Sequence, residues 1–407
     1  MPQYVWHDVF LVADYFLNKF FICQISSSYK SLQIATMEPE IRKKPVRFYE
    51  IDLLRFIAAL SVVLYHYTFR GYAANNYSPI PLTSLSEVTK YGYLGVQLFF
   101  IISGYVVLLS AQGKTVRQFF VSRVTRLYPA FWVACTLTFI IKKIWGPGLA
   151  DIHMSSSLAA TWKQYAFNMT MLHEFFGVTS MDGAYWSLTA EITFYFLISL
   201  LIGYRLLHRV DLFITLWLLY AALPSQFSLN TPFTTLFMPS YAPYFAAGML
   251  FYLLQQPGGR TWQRYALLLL AYALSIRSVL GNTAAMVQLF HYNFSRVVTV
   301  GLVTIFFLIF CLIVFRIISL HRYAWLTWAG ALTYPLYLLH SDIAFIAFHR
   351  LYGRFGGNLL IVSFLAIMLL AAYLVHVLAE KRLSKLLRQK LQSWLEYFNE
   401  YRAFKAD

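Results

Sequence analysis

Apolar runs of about 20 residues recur from residue 51 to residue 380, and a run of that length crosses a hydrocarbon layer about 30 Å thick as a helix. A backbone inside lipid has to satisfy its own hydrogen bonds, so the choice narrows to helices or a closed barrel. A barrel would show ~10-residue alternating segments, which this chain lacks. Composition agrees: 59% of residues are hydrophobic and 12% charged, against about 25% charged in soluble domains. The expected fold class is an all-α polytopic membrane protein. About ten transmembrane helices are expected, at 51–69, 91–111, 128–144, 187–203, 210–223, 236–255, 265–280, 297–315, 326–349 and 358–379, the fifth and seventh giving the weakest signal.

The net charge of +16 would suggest a nucleic-acid partner in a soluble chain, but the basic residues collect in alternate loops. One side holds 21 Lys and Arg and the other 8. The positive-inside rule then places both termini in the cytoplasm. The expected location is the plasma (inner) membrane, with lipid and no nucleic acid among the partners. Cys23, Cys135 and Cys311 are too few and too scattered for a disulfide framework or a metal site. Residues 1–36 contain an apolar stretch interrupted by Asp14 and Lys19 and followed by Met37 and a basic run. They are expected to be an N-terminal extension, with Met37 as the natural start. Residues 37–380 form the transmembrane domain and 381–407 a basic amphipathic cytoplasmic tail, with no appended soluble domain. The long segment 145–186 is aromatic and poor in charge, so part of it is expected to lie in the membrane interface, covering a site from outside.

Ionisable residues inside spans are expensive and mark function. In I-D-L-L-R-F-I-A-A-L-S-V-V-L-Y-H, Asp52 and Arg55 are i,i+3 neighbours. His66 follows Arg55 by eleven residues, which returns it to nearly the same helix face about 16 Å further along. In V-S-R-V-T-R-L-Y-P, Arg123 and Arg126 have the placement of a phosphate clamp for a nucleotide-like donor, or of simple membrane anchoring. Y-W-S-L-T-A-E sets Trp186 and Ser187 one turn before Glu191; the tryptophan can stack on a sugar ring, or the serine and glutamate can serve a helix start. His340 lies in L-T-Y-P-L-Y-L-L-H within the ninth span. Phosphate-cradling glycine loops, His-Cys metal spacings and a nucleophile elbow are absent from the sequence.

These motifs resemble the membrane-bound acyltransferase 3 family, which O-acylates cell-envelope and secreted glycans. The resemblance covers about residues 46–380. It rests on Arg55 with His66, on Arg123 with Arg126, on Trp186, Ser187, Leu188 and Glu191, on Leu339 with His340, and on G-Y-L-G-V-Q-L-F-F-I-I-S-G. In that last motif Gln97 stands where an acidic residue is frequent, which keeps it out of the expected catalytic set. The resemblance implies a cytosolic acyl-CoA donor, acetyl first and succinyl second, and no metal. It implies a carbohydrate or glycolipid acceptor on the far side. Arg123 and Arg126 would hold the CoA phosphates. His66 would act as general base, with a covalent acyl-histidine as the alternative. Glu191 and Arg55 would join His66 in the catalytic set, Glu191 orienting His66 or the acceptor and Arg55 holding the donor or a developing charge. Asp52, Trp186 and His340 fall to the substrate side, Asp52 also keeping Arg55 in place. A secondary transporter of a sugar or anionic metabolite is the rival class, although no pair of matching Gly/Pro-broken spans supports it.

Overall fold

A computed structural model describes residues 48–148, 151, 153–223 and 232–406; the expected extension 1–36 and the Met37 start lie outside them. Every described element is a helix or turn, and the described residues contain no strand. The long helices are α1 (Tyr49–Ala73), α2 (Ser86–Ala111), α3 (Val116–Trp145), α4 (Trp186–Gly203), α5 (Val210–Ala222), α6 (Ala242–Gln255), α7 (Trp262–Phe290), α8 (Arg296–Val314), α9 (Leu326–Leu339), α10 (Asp342–Leu351), α11 (Gly357–Leu374) and α12 (Lys381–Ala406). Seven helices among the described residues are long and apolar enough to cross a membrane, or eight if the bent pair α9–α10 is one span. The chain is thus a multi-pass membrane protein. The expected spans at 210–223 and 236–255 fall on α5 and α6, which have 13 and 14 residues. At 1.5 Å per residue each is about 20 Å long, short of a full crossing. The apolarity that marked α6 in the sequence has another cause, because every residue from Ala242 to Leu254 is buried in protein.

Local sequence sets several boundaries. Thr115 and Gln118 form a reciprocal capping box that starts α3, satisfying two N–H groups at the helix end. Thr261 and Ser295 cap α7 and α8 in the same way with single bonds. The core crossing is α2 against α6, where Gly104 and Gly248 meet with backbone in contact; a Cβ on either would run into the partner's carbonyl oxygen, Phe245 O or Ile101 O. Gly248→Leu is expected to cost about 3 kcal/mol, the upper end for an overpacked core, read as thermal unfolding in detergent. Gly281→Leu, where a Cβ meets only open space, should leave the transition unmoved.

Three packings place the site. Gly92 and Gly95 bring the start of α2 against Ser61 and Ala58 of α1. Gly330 of α9 sits against Asp52 of α1. The segment after α3 folds back along that helix: Tyr128 OH donates to Thr170 O at 2.7 Å and Trp132 Nε1 to Met169 O at 2.9 Å. Helix α12 lies against α3, with Arg117 Nη2 donating to Gln392 O at 3.1 Å.

Candidate active site

Helix α1 changes pitch at His66. From His66 to Arg70 it is wound as a π-helix, and the Gly71 N–H reaches back five residues to the His66 carbonyl. Such widened turns concentrate at functional positions. His340 sits at the break between α9 and α10, where the axis turns by 63°. The break brings His340 Nε2 to 2.6 Å from His66 Nδ1, with the rings 4.8 Å apart and 20° from parallel. His340 Nδ1 lies 2.8 Å from the Tyr337 carbonyl oxygen.

These two bonds fix the protons. A carbonyl oxygen only accepts, so His340 Nδ1 carries the hydrogen. The neutral His340 ring then offers a bare Nε2, which accepts from His66 Nδ1–H. His66 Nε2 is left with its lone pair unused, the state a general base needs. His340 is fully buried, while His66 keeps some accessible surface.

The break itself is held by buried charges. Asp182 Oδ2 accepts the Asp342 N–H at 2.9 Å and its Oδ1 accepts the Ala184 N–H at 2.9 Å. Asp342 Oδ1 accepts the Gly183 N–H at 3.2 Å, and its Oδ2 lies 2.6 Å from Lys142 Nζ. Lys142 also donates to Ser157 O at 3.2 Å. Burial, and then the Asp342 carboxylate beside it, push Asp182 well above the usual carboxylate range. Sequence reading passed over Lys142 and both aspartates. The one available signal was position: Asp342 stands two residues after His340, and Asp182 four before Trp186.

Arg55, Arg123, Arg126 and Glu191 line one partly open cavity. Three guanidinium groups against one carboxylate make it a cationic hollow. Arg55 feels Arg126, Asp52 and Glu191 electrostatically. Arg123 is stacked over the rings of Phe119 and Tyr195, each 5.5 Å from its guanidinium carbon, and its buried Nε has no hydrogen-bond partner. A buried donor without a partner is costly, and an anionic ligand would satisfy it. Glu191 accepts from Ser103 Oγ at 3.1 Å and from Tyr195 OH at 2.5 Å; among the described residues its recorded partners are these rather than His66. The cavity reaches Tyr337 and Ser187, whose hydroxyls lie 2.7 Å apart. Tyr337 thus stands between the arginines and the histidine pair, its ring 5.5 Å from His340.

The other expected residues sit around this core. Asp52 Oδ1 lies 4.0 Å from Arg55 Nη1 and packs on Gly330, which suits it to holding Arg55. Trp186 turns to the opposite face of α4, into a second cavity shared with Glu174 and Tyr241, its ring 5.5 Å from Tyr241. Gln97, in the amide orientation that satisfies its neighbours, donates to Leu94 O and accepts from Asn282 Nδ2, both at 3.2 Å, so it ties α2 to α7. Cys135 and Cys311 are free thiols. Among the described residues no group of His, Cys, Asp and Glu is arranged to hold a metal ion.

Residues 48–378 match a family described as an acyltransferase domain. The chain is 28% identical over 157 residues to the peptidoglycan O-acetyltransferase OatA of Listeria monocytogenes, covering 36% of this chain and 22% of that one. It is 28% identical over 167 residues to nodulation protein 10 of Rhizobium leguminosarum, covering 37% and 43%. Against the acyltransferase MdmB of Streptomyces mycarofaciens it is 26% identical over 170 residues, covering 40% and 41%. The aligned regions thus span between about a fifth and two fifths of these relatives' lengths. No solved structure matches the chain.

Proposed function

The chain belongs to the acyltransferase domain family, and from that premise we propose that it moves an acyl group, acetyl first, from cytosolic acyl-CoA to a hydroxyl of a carbohydrate or lipid-linked glycan beyond the plasma membrane. The observation that carries the reading is the run of contacts from the Tyr337 carbonyl through His340 to His66; the tautomers assigned from it leave His66 Nε2 free to take a proton.

In this reading the end of the bundle bearing Arg117, Arg123 and α12 faces the cytoplasm. Arg123 and Arg126 bind donor phosphates, and Arg55, steadied by Asp52 and Glu191, lines the path inward. The cavity from those arginines to Tyr337 carries the acyl arm towards the histidines. His66 Nε2 takes the proton of the acceptor hydroxyl as its oxygen attacks the thioester carbonyl. The tetrahedral adduct then collapses, the C–S bond breaks, and the thiolate leaves with the proton that His66 accepted. His340 holds the His66 tautomer through both steps. The Listeria relative, named as a peptidoglycan O-acetyltransferase, supports a glycan acceptor for this chain.

The test is transfer of radiolabelled acetyl from acetyl-CoA into envelope glycans, with membranes carrying the protein. Arg123→Ala is expected to raise the half-saturating acetyl-CoA concentration 10- to 100-fold, as loss of about 1.5–3 kcal/mol of charge-assisted hydrogen bonding would do, with the rate at saturation nearly kept. An unchanged acetyl-CoA requirement would remove Arg123 from the donor site. A wild type that neither labels glycan nor binds acetyl-CoA would overturn the acyltransferase reading in favour of transport.

A further inference from the structure

Arg70 lies four residues after His66, in the same widened turn of α1, so the two side chains fall near one face of the helix. Arg55 comes eleven residues before His66. At 1.5 Å per residue, Arg55 lies about 16 Å to one side of the histidine and Arg70 about 6 Å to the other. The cationic cavity of Arg55, Arg123 and Arg126 is therefore on the side away from Arg70.

Arg70 is held by aromatic rings. Its guanidinium carbon is 4.7 Å from the centroid of Tyr77 and 5.2 Å from that of Phe290. Tyr77 stacks in parallel on Phe345 at 5.3 Å and 3°, and Phe345 meets the His66 ring edge-on at 6.0 Å. A continuous chain of ring contacts thus joins the guanidinium to the base. Of the five N–H donors a guanidinium carries, one is engaged among the described residues, Nη1 to Ala74 O at 3.3 Å. No carboxylate among the described residues forms an ion pair with Arg70, and the residue keeps accessible surface. Stacking fixes the plane of the group and leaves its edge donors free, the arrangement that grips two neighbouring oxygens at once.

We propose that Arg70 is an acceptor-binding residue, whose free edge holds oxygens of a polyhydroxylated acceptor next to the hydroxyl presented to His66. The proposal rests on the acyltransferase reading and adds a residue to it. The donor is bound by the three cavity arginines, and the acceptor by a fourth arginine on the far side of the base. Tyr77 and Phe345 position that fourth arginine.

The experiment titrates the envelope glycan extract of the expression host against the full-length protein in nanodiscs at saturating labelled acetyl-CoA, then titrates acetyl-CoA at saturating extract. Arg70→Gln is expected to raise the half-saturating extract concentration at least tenfold with the acetyl-CoA requirement unchanged. Arg70→Lys, which keeps the charge but loses the planar fork, should fall between wild type and Arg70→Gln, and Tyr77→Leu, which frees the guanidinium plane, should shift the same parameter. If Arg70→Gln and Arg70→Lys both keep the wild-type extract requirement, Arg70 is a structural cation and the proposal is overturned. A raised acetyl-CoA requirement overturns it as well, since Arg70 would then belong to the donor side. A wild type that labels nothing is a failure of the acyltransferase reading, separate from either result.

Discussion

Substituting His66 by alanine is expected to lower acyl transfer by 10²- to 10⁴-fold, the usual contribution of a positioned general base, while acetyl-CoA still binds. The donor phosphates are assigned to the arginine-lined cavity, which His66 does not line, so binding and chemistry should separate in this variant. His340→Ala is expected to lose nearly as much. With His340 gone, His66 Nδ1–H has no partner at 2.6 Å, and the ring can rotate or place its proton on the nitrogen that has to be bare. His340→Gln should retain more activity than His340→Ala, because a glutamine oxygen can accept from His66 Nδ1–H. The double variant should be no slower than His66→Ala, since residues that act as one unit do not add. Rates are read as labelled acetyl transferred per minute at saturating donor, with donor binding measured separately. A His66→Ala protein that transfers at the wild-type rate would end the general-base assignment, and a fully active His340→Ala protein would end the relay.

The division between what the sequence discloses and what it hides follows from the physics of each signal. Membrane helices are set by long apolar runs, so their class is legible residue by residue. Length alone misjudged α6, because a helix wrapped in protein and a helix wrapped in lipid have the same composition. Arg55, Arg123, Arg126 and Glu191 stand out as charges in apolar surroundings, and the structure gathers all four around one cavity. The pairing of His66 with His340 was not legible. The two are 274 residues apart, and their contact depends on a 63° break that no single residue announces. Sequence reading set Trp186 and Glu191 together because they share a motif, yet five residues along a helix put them on different faces, one in each cavity. No motif marks Asp182 in the sequence; its role depends on a lysine 40 positions earlier and on the N–H of a residue 160 positions later.

Removing the Asp342 carboxylate is expected to give the largest loss of stability in the protein. Asp342→Ala deprives Lys142 Nζ, whose side chain is 1% exposed, of its ion-pair partner, and breaking a buried pair from one side costs about 3–5 kcal/mol. It also strips the Gly183 N–H of its acceptor. The damage falls on the α9–α10 break, so His340 moves away from His66 and activity falls with stability. Asp342→Asn keeps an oxygen for Gly183 but gives Lys142 a neutral partner, and its cost should be intermediate. The decisive variant is Lys142→Met combined with Asp342→Asn. It removes both charges at once, and a buried ion pair replaced as a pair is often neutral in stability. Thermal unfolding in detergent is therefore expected to recover most of the loss in the double variant, giving a coupling between the two positions above the few tenths of a kcal/mol typical of independent sites. Activity should recover with it, because Asp182 still accepts the backbone N–H of residue 342 and the bend that presents His340 survives. If Lys142→Met alone unfolds at the wild-type temperature, the ion pair is not what holds the break; if the double variant is stable yet inactive, the charges act on the reaction itself and not through the position of His340.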